Sequence, residues 1–237
     1  MWYITYYLLG IILLPGIIYA IIVQTQVQTA FNTYKKVYSS SGLTAREACR
    51  NILQSAGINN VEITKIQGSL TDNYNPKTKT LSLSESVYDS TSISALGVAA
   101  HEAGHAIQDA TGYAFLKVRS GLVVFSNICS TLLWPLMIIG IIFSALAYTS
   151  FGSGFIIGGC VVFGVAVLVS LVTLPVEFDA SKRALAALVS SGSLDSTEVK
   201  GAKAVLNAAA KTYVAGLLVS ILAFIRFLAS ILIFRSE

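Results

Sequence analysis

Charge is what this chain has least of. Only 12% of its 237 residues are Asp, Glu, Lys or Arg, against 54% that are hydrophobic. A soluble domain carries about 25% charged residues, so roughly half the expected charge is missing, and mean hydropathy reaches +0.71. That scarcity excludes a soluble domain with an ordinary polar shell. Cysteine is scarce as well: Cys49, Cys129 and Cys160 are odd in number and far apart. They form neither a disulfide framework nor a thiolate metal cluster, and read as packing residues. No Lys or Arg precedes the first apolar run and no A-x-A-like site follows it, so it reads as a retained span rather than a cleaved signal peptide. Internal repeats and low-complexity tracts are absent. Histidine occurs only twice.

What is present is long and apolar. Four runs, 4–23, 122–148, 155–176 and 213–234, each hold about 20 residues or more, enough as helices to cross a hydrocarbon core of roughly 30 Å. One soluble domain has no room for four helices without a polar face. The expected class is a mainly α multi-pass membrane protein with four transmembrane helices. Its formal charge of +4 is informative through placement, not as a nucleic-acid footprint. Nine Lys and Arg lie between the first and second runs and five between the third and fourth, whereas MWYITYY and the turn 149–154 carry none. The positive-inside rule then puts both basic segments in the cytoplasm and both termini outside, with the protein in the cell membrane. Arg235 alone runs against the pattern. Arg226, near the middle of the last run, costs about 2.5–3.5 kcal/mol to insert; it either faces a wet cavity, or caps carbonyls of a neighbouring helix or snorkels.

Segment 24–121 is long enough for a compact polar domain, expected to be small and α+β. After a polar helical or extended exit from the membrane, SGLTAREACRNILQSAGI reads as a helix, with Thr44 and Glu47 spaced as a capping box and Gly57 as its stop. VEITKI alternates like a strand, DNYNPKT is a turn cluster around Pro76, and TLSLS is a second alternating strand with Leu81 and Leu83 on one face. A long apolar helix follows from about Ile93. Segment 177–212 reads as two further helices. The first begins just after Pro175, and the second is capped by Ser196 or Thr197.

Both histidines fall within VAAHEAGHAIQ. Residues i and i+4 stack on one face of a helix, so His101 and His105 can offer two imidazoles to one cation, with Glu102 about 100° away near the same edge. Zinc held by neutral imidazoles lowers the pKa of its water to about 7, and a carboxylate that takes the proton completes a hydrolytic centre. The bland alternative is a pair of packed histidines. Catalytic zinc also needs a third protein ligand and an open fourth position. No histidine remains, so a carboxylate or, less readily, a thiolate must serve. Glu177 is the best placed, because charge placement puts it on the same membrane face as the histidines; its alternative is a first-turn glutamate stabilising a helix dipole. Asp179, roughly 200° round from it, suits the positive helix N-terminus. Gly97 and Gly104 suit close helix packing.

DNYNPKTKTLSLSESVY, SALGVAAHEAGHAIQ, LPVEFDASKRAL and KAVLNAAAKTYVAG together resemble the YugP-like neutral zinc metallopeptidases, a bacterial membrane family, over most of the chain. More distantly the sequence is similar to the HtpX and CAAX prenyl protease type, where HExxH is paired with a later E-x-x-x-D helix. The resemblance implies a zincin-like catalytic domain, one Zn2+ per chain held by His101, His105 and Glu177, and Glu102 as general base. Where the distant pattern has its aspartate, this chain has Ser181, which only weakly replaces a carboxylate orienting a zinc histidine. Asp179 and Asp109 are the alternatives for that role. Peptidases of this type lay substrate on an edge strand, and Thr80, Leu81, Ser82, Leu83 and Ser84 stand in the right order for one; a plain sheet strand is the competing reading. For the oxyanion, Tyr88, Tyr113, Tyr213 and Arg183 are candidates.

The expected function is a membrane-bound zinc endopeptidase that cleaves membrane-associated proteins or peptides at the cytoplasmic face, its partners being that substrate and the bilayer. A site-2-type intramembrane protease needs an aspartate followed by glycine, and the chain has no DG dipeptide. A zinc-binding scaffold or transporter would want four protein ligands, and a fourth is hard to find.

Overall fold

Runs of apolar residues without turn chemistry become long helices here. The computed structural model describes residues 9–145 and 150–235; residues 4–8 and 146–148 of the expected spans lie outside them. After a single 3-10 turn at Ile11–Leu13, the elements are α1 (Leu14–Tyr34), α2 (Ala45–Ser55), β1 (Glu62–Ile66), β2 (Asn73–Asn75), β3 (Thr80–Ser84), α3 (Glu85–Tyr88), α4 (Ile93–Ala110), α5 (Ala114–Ala145), α6 (Ser150–Ser190) and α7 (Val199–Arg235). The chain is mainly helical with one small three-stranded sheet. Among the described residues, three helical stretches are long and apolar enough to cross a membrane: Ile11–Tyr34, Gly158–Ser190 and Val199–Ala229.

Two compact units divide the chain. One comprises Met1–Ile21, Val118–Thr173 and Tyr213–Glu237; the other comprises Ile22–Lys117 and Leu174–Thr212. In the first, small residues let helices approach. A Cβ on Gly16 would lie 2.9 Å from Leu222, one on Gly159 would strike the Phe227 ring, and the Ser170 and Ser220 hydroxyls meet at 3.1 Å. Small side chains and paired hydroxyls of this kind suit helix association in lipid. Ile17, Ile18, Phe125, Ile128, Leu168 and Leu171 are exposed, an outward apolar surface that water would not tolerate over such an extent.

The second unit has its own core. Leu81 and Leu83 of β3, Cys49 and Ile52 of α2, and Leu96, Ala99 and Ala103 of α4 are all fully or almost fully buried in it. Thr44 caps α2 as its spacing predicts: Glu47 N donates to Thr44 Oγ1, and Thr44 N donates to a Glu47 carboxylate oxygen at 2.9 Å. Gly57, just past the helix, takes φ +71, where a Cβ would be strained.

Three expectations are corrected. The strand Thr80–Ser84 is not an edge. The sheet order is β1-β3-β2, with β1 parallel and β2 antiparallel to β3, so Thr80, Leu81, Ser82, Leu83 and Ser84 lie in the central strand. At its far end, beyond β2, the Asp72 carboxylate accepts both Ser84 N (2.8 Å) and Ser84 Oγ (3.0 Å). Second, no helix begins just after Pro175. It lies inside α6, which runs unbroken from Ser150 to Ser190; proline removes one hydrogen bond, and a helix of 41 residues absorbs that loss. Third, the turn before α7 is closed by Asp195, whose Oδ1 accepts Thr197 N and Glu198 N at 2.7 Å each, instead of by Ser196 or Thr197.

Candidate metal centre

The site is built where α4 crosses α6. On α4, the i,i+4 spacing brings His101 and His105 together edge to face, with ring centroids 4.7 Å apart. Between them lies Gly104, and a Cβ there would stand 2.4 Å from the carbonyl oxygen of Ala180. Only glycine permits this approach, and Ala180 sits between Glu177 and Ser181 on α6. The close crossing therefore presents Glu177 to the histidine pair. At Gly97, one side of the same helix meets Ala202 with a Cβ distance of 3.3 Å.

Three ligand atoms converge. Glu177 Oε2 lies 3.1 Å from His101 Nε2 and 3.5 Å from His105 Nε2, and the potential donor atoms of all three residues lie within 4.8 Å of one another. Glu177 is 2% exposed. Such a carboxylate, set against two imidazoles, is what a divalent cation requires, and two imidazoles with one carboxylate is a donor set that suits zinc. The opposite ring nitrogens are held from outside: Ser181 Oγ lies 3.2 Å from His101 Nδ1, and Gln108 Oε1 lies 3.0 Å from His105 Nδ1. Ligating histidines usually donate their second N–H to such a partner.

Electrostatics at the site follow from burial. Glu102 is buried, and burial pushes its carboxyl pKa up. Charged His101 and His105 pull it down, while Glu177 and Asp72 push it further up. Burial disfavours the His105 cation, yet the hydrogen bond to Glu177 and the charges of Glu102 and Glu177 outweigh that and raise its pKa.

The remaining candidates are distributed unevenly. Ser181 is beside His101. Asp179 is one bond further out: it accepts Gln108 Nε2 at 2.9 Å and Arg183 Nε at 2.6 Å, and since α6 starts at Ser150 it stands at no helix N-terminus. Asp109 is drawn away from the histidines, accepting the Tyr74 hydroxyl at 2.7 Å and Lys79 Nζ at 2.5 Å; it ties β2 and the β2–β3 turn to the end of α4. Tyr88 accepts Arg46 Nη1 at 3.3 Å and carries the Arg46 and Lys65 cations over its ring. The Arg183 guanidinium, besides bonding Asp179, lies 5.7 Å from the Tyr113 ring centroid. Tyr213 belongs to the other unit. Gln108 was missed from the sequence, although its signal was available: an amide three residues after His105 on the buried side of an apolar helix.

The comparisons point to zinc. A family model described as "Putative neutral zinc metallopeptidase" matches residues 9–232. A relative from Bacillus subtilis (strain 168), named "Putative membrane protease YugP", is 41% identical over 215 residues, which cover 90% of this chain and 92% of that protein. No solved structure matches the chain.

Proposed function

The chain belongs to this neutral zinc metallopeptidase family, and on that premise we propose that it is a membrane-bound zinc endopeptidase acting at the cytoplasmic face. The observation that carries the reading is the convergence of His101 Nε2, His105 Nε2 and Glu177 Oε2, with each Nδ1 held by a separate polar side chain. His101, His105 and Glu177 would hold the ion, and Ser181 would orient His101. Bound there, zinc supplies the Lewis acidity that makes water nucleophilic near neutral pH and polarises a peptide carbonyl. Glu102 does the proton work: its raised pKa suits a group that takes a proton from water and passes it to the leaving amine. Three protein ligands among the described residues favour this reading over a scaffold, whose structural zinc would be closed by four.

The edge strand β2, tied to α4 through Tyr74 and Asp109, offers its free side to an extended peptide, whose backbone would pair without regard to sequence. Helix α5 would supply the fourth span, because its run from 122 is as apolar as the other three. Both basic segments, and with them the site, then face the cytoplasm and the termini face outside. Substrates are membrane proteins or peptides held near the bilayer.

The test is metal analysis of the purified protein together with a proteomic comparison of membranes carrying wild type or Glu102→Gln. A peptidase keeps its zinc and loses cleavage in Glu102→Gln. Unchanged peptide products would contradict the proposal.

A further inference from the structure

Gln108 is fully buried and touches both halves of the centre. Its Nε2 donates to the carbonyl of Val176 at 2.7 Å and to Asp179 Oδ2 at 2.9 Å. An amide can be turned round in a structure without changing its shape, so the chemistry of its partners must decide its orientation. A backbone carbonyl only accepts, and the Asp179 carboxylate is held as an acceptor by Arg183 Nε at 2.6 Å. Turned round, Gln108 would face two acceptors with its own oxygen, so its –NH2 must point at them. Its carbonyl oxygen then faces His105 Nδ1 at 3.0 Å, and the hydrogen between them must belong to the histidine. Neutral His105 is thereby the Nδ1–H tautomer, its Nε2 lone pair directed towards Glu177. The carbonyl that Gln108 holds belongs to Val176, the residue immediately before Glu177. One side chain braces a ring on α4 and the backbone beside a ligand on α6.

We propose that Gln108 is a positioning residue: oriented by Asp179 and Arg183, it fixes the tautomer and ring of His105 and holds the Glu177 backbone in register with it. This rests on the zinc reading above. Loss of an outer partner of a ligating histidine typically weakens metal binding about 10–100-fold.

The test uses the full chain in detergent, labelled with 15N-histidine. With two histidines in the sequence, the spectrum holds four ring nitrogens. Wild type is expected to show His105 protonated on Nδ1 and metallated on Nε2. Gln108→Met should bind zinc about 10–100-fold more weakly by chelator competition and lose the hydrogen-bonded Nδ1–H signal of His105, with that of His101 unchanged. Gln108→Glu, which keeps an oxygen to accept from His105 Nδ1–H, should bind more tightly than Gln108→Met. A wild-type His105 metallated on Nδ1 overturns the proposal, even if neither variant can be purified. So does a Gln108→Met protein with wild-type affinity. A wild type that takes up no zinc sinks the zinc reading itself, whereas equal affinities in wild type and Gln108→Met sink the role of Gln108 alone.

Discussion

Replacing Gly104 by Ala tests whether the α4–α6 crossing sets the ligand geometry. The added Cβ would sit 2.4 Å from the Ala180 oxygen, 3.1 Å from its carbonyl carbon and 3.3 Å from its Cα. Carbon and oxygen in contact rest about 3.3–3.6 Å apart, so the helices must separate by about 1 Å. All three obstructing atoms are backbone, and no rotamer change relieves them. Metal–ligand distances tolerate about 0.2 Å, so a shift of α6 by several times that amount takes Glu177 out of reach. Overpacking of this kind costs about 1–3 kcal/mol in stability, which lowers the melting temperature without abolishing the fold. Zinc affinity should fall by more than the roughly 10–100-fold attached to an outer partner. Gly97→Ala is the control: its Cβ would meet Ala202 at 3.3–3.4 Å, a matter of tenths of an ångström, and zinc binding should survive. The assay is chelator competition on the detergent-purified chain, with thermal unfolding measured alongside. A folded Gly104→Ala protein that binds zinc as wild type does would refute the reasoning.

Two further outcomes follow from the buried groups. In metal-free protein, Glu102 and His105 both have raised pKa values, so the folded state holds protons that the unfolded state has released. Stability from these groups therefore falls as pH rises, for His105 from the ordinary 6.5 upward through its folded value. Zinc needs the His105 ligand nitrogen deprotonated, and its gain in melting temperature should grow between about pH 6 and 8. A gain that shrinks over that range would be inconsistent with the site. Cys49 is fully buried, and its thiol pKa is pushed up by burial and then by the Glu102 charge; it should resist thiol reagents until the domain unfolds, and rapid modification of the native protein would show the α2–α4 core to be open.

Much of this was legible in the sequence because it is local. Spacing alone puts His101 and His105 on one face of a helix, Thr44 and Glu47 in a box, and Leu81 and Leu83 on one face of a strand. Charge placement, a coarse but chain-wide signal, points to Glu177. What failed was non-local. Whether TLSLS is central or peripheral depends on where NYN pairs, and three residues beside a proline turn do not announce a strand. Proline is a breaker in water and suggests a helix start at Pro175, yet in a long apolar helix its single lost hydrogen bond does not end the run. Gln108 and Asp179 lie 71 positions apart, and only the crossing at Gly104 turns two unremarkable polar residues into the brace of a histidine.

The claim on which everything else depends is that His101, His105 and Glu177 hold one zinc ion with a position left open. Zinc-edge X-ray absorption on the purified full chain, with metal quantified per chain, addresses it directly. The account predicts one zinc per chain, two imidazole nitrogens with oxygen completing the shell, and loss of the ion in Glu177→Ala. Sulfur among the ligands, or a Glu177→Ala protein that retains its zinc with unchanged affinity, would contradict it.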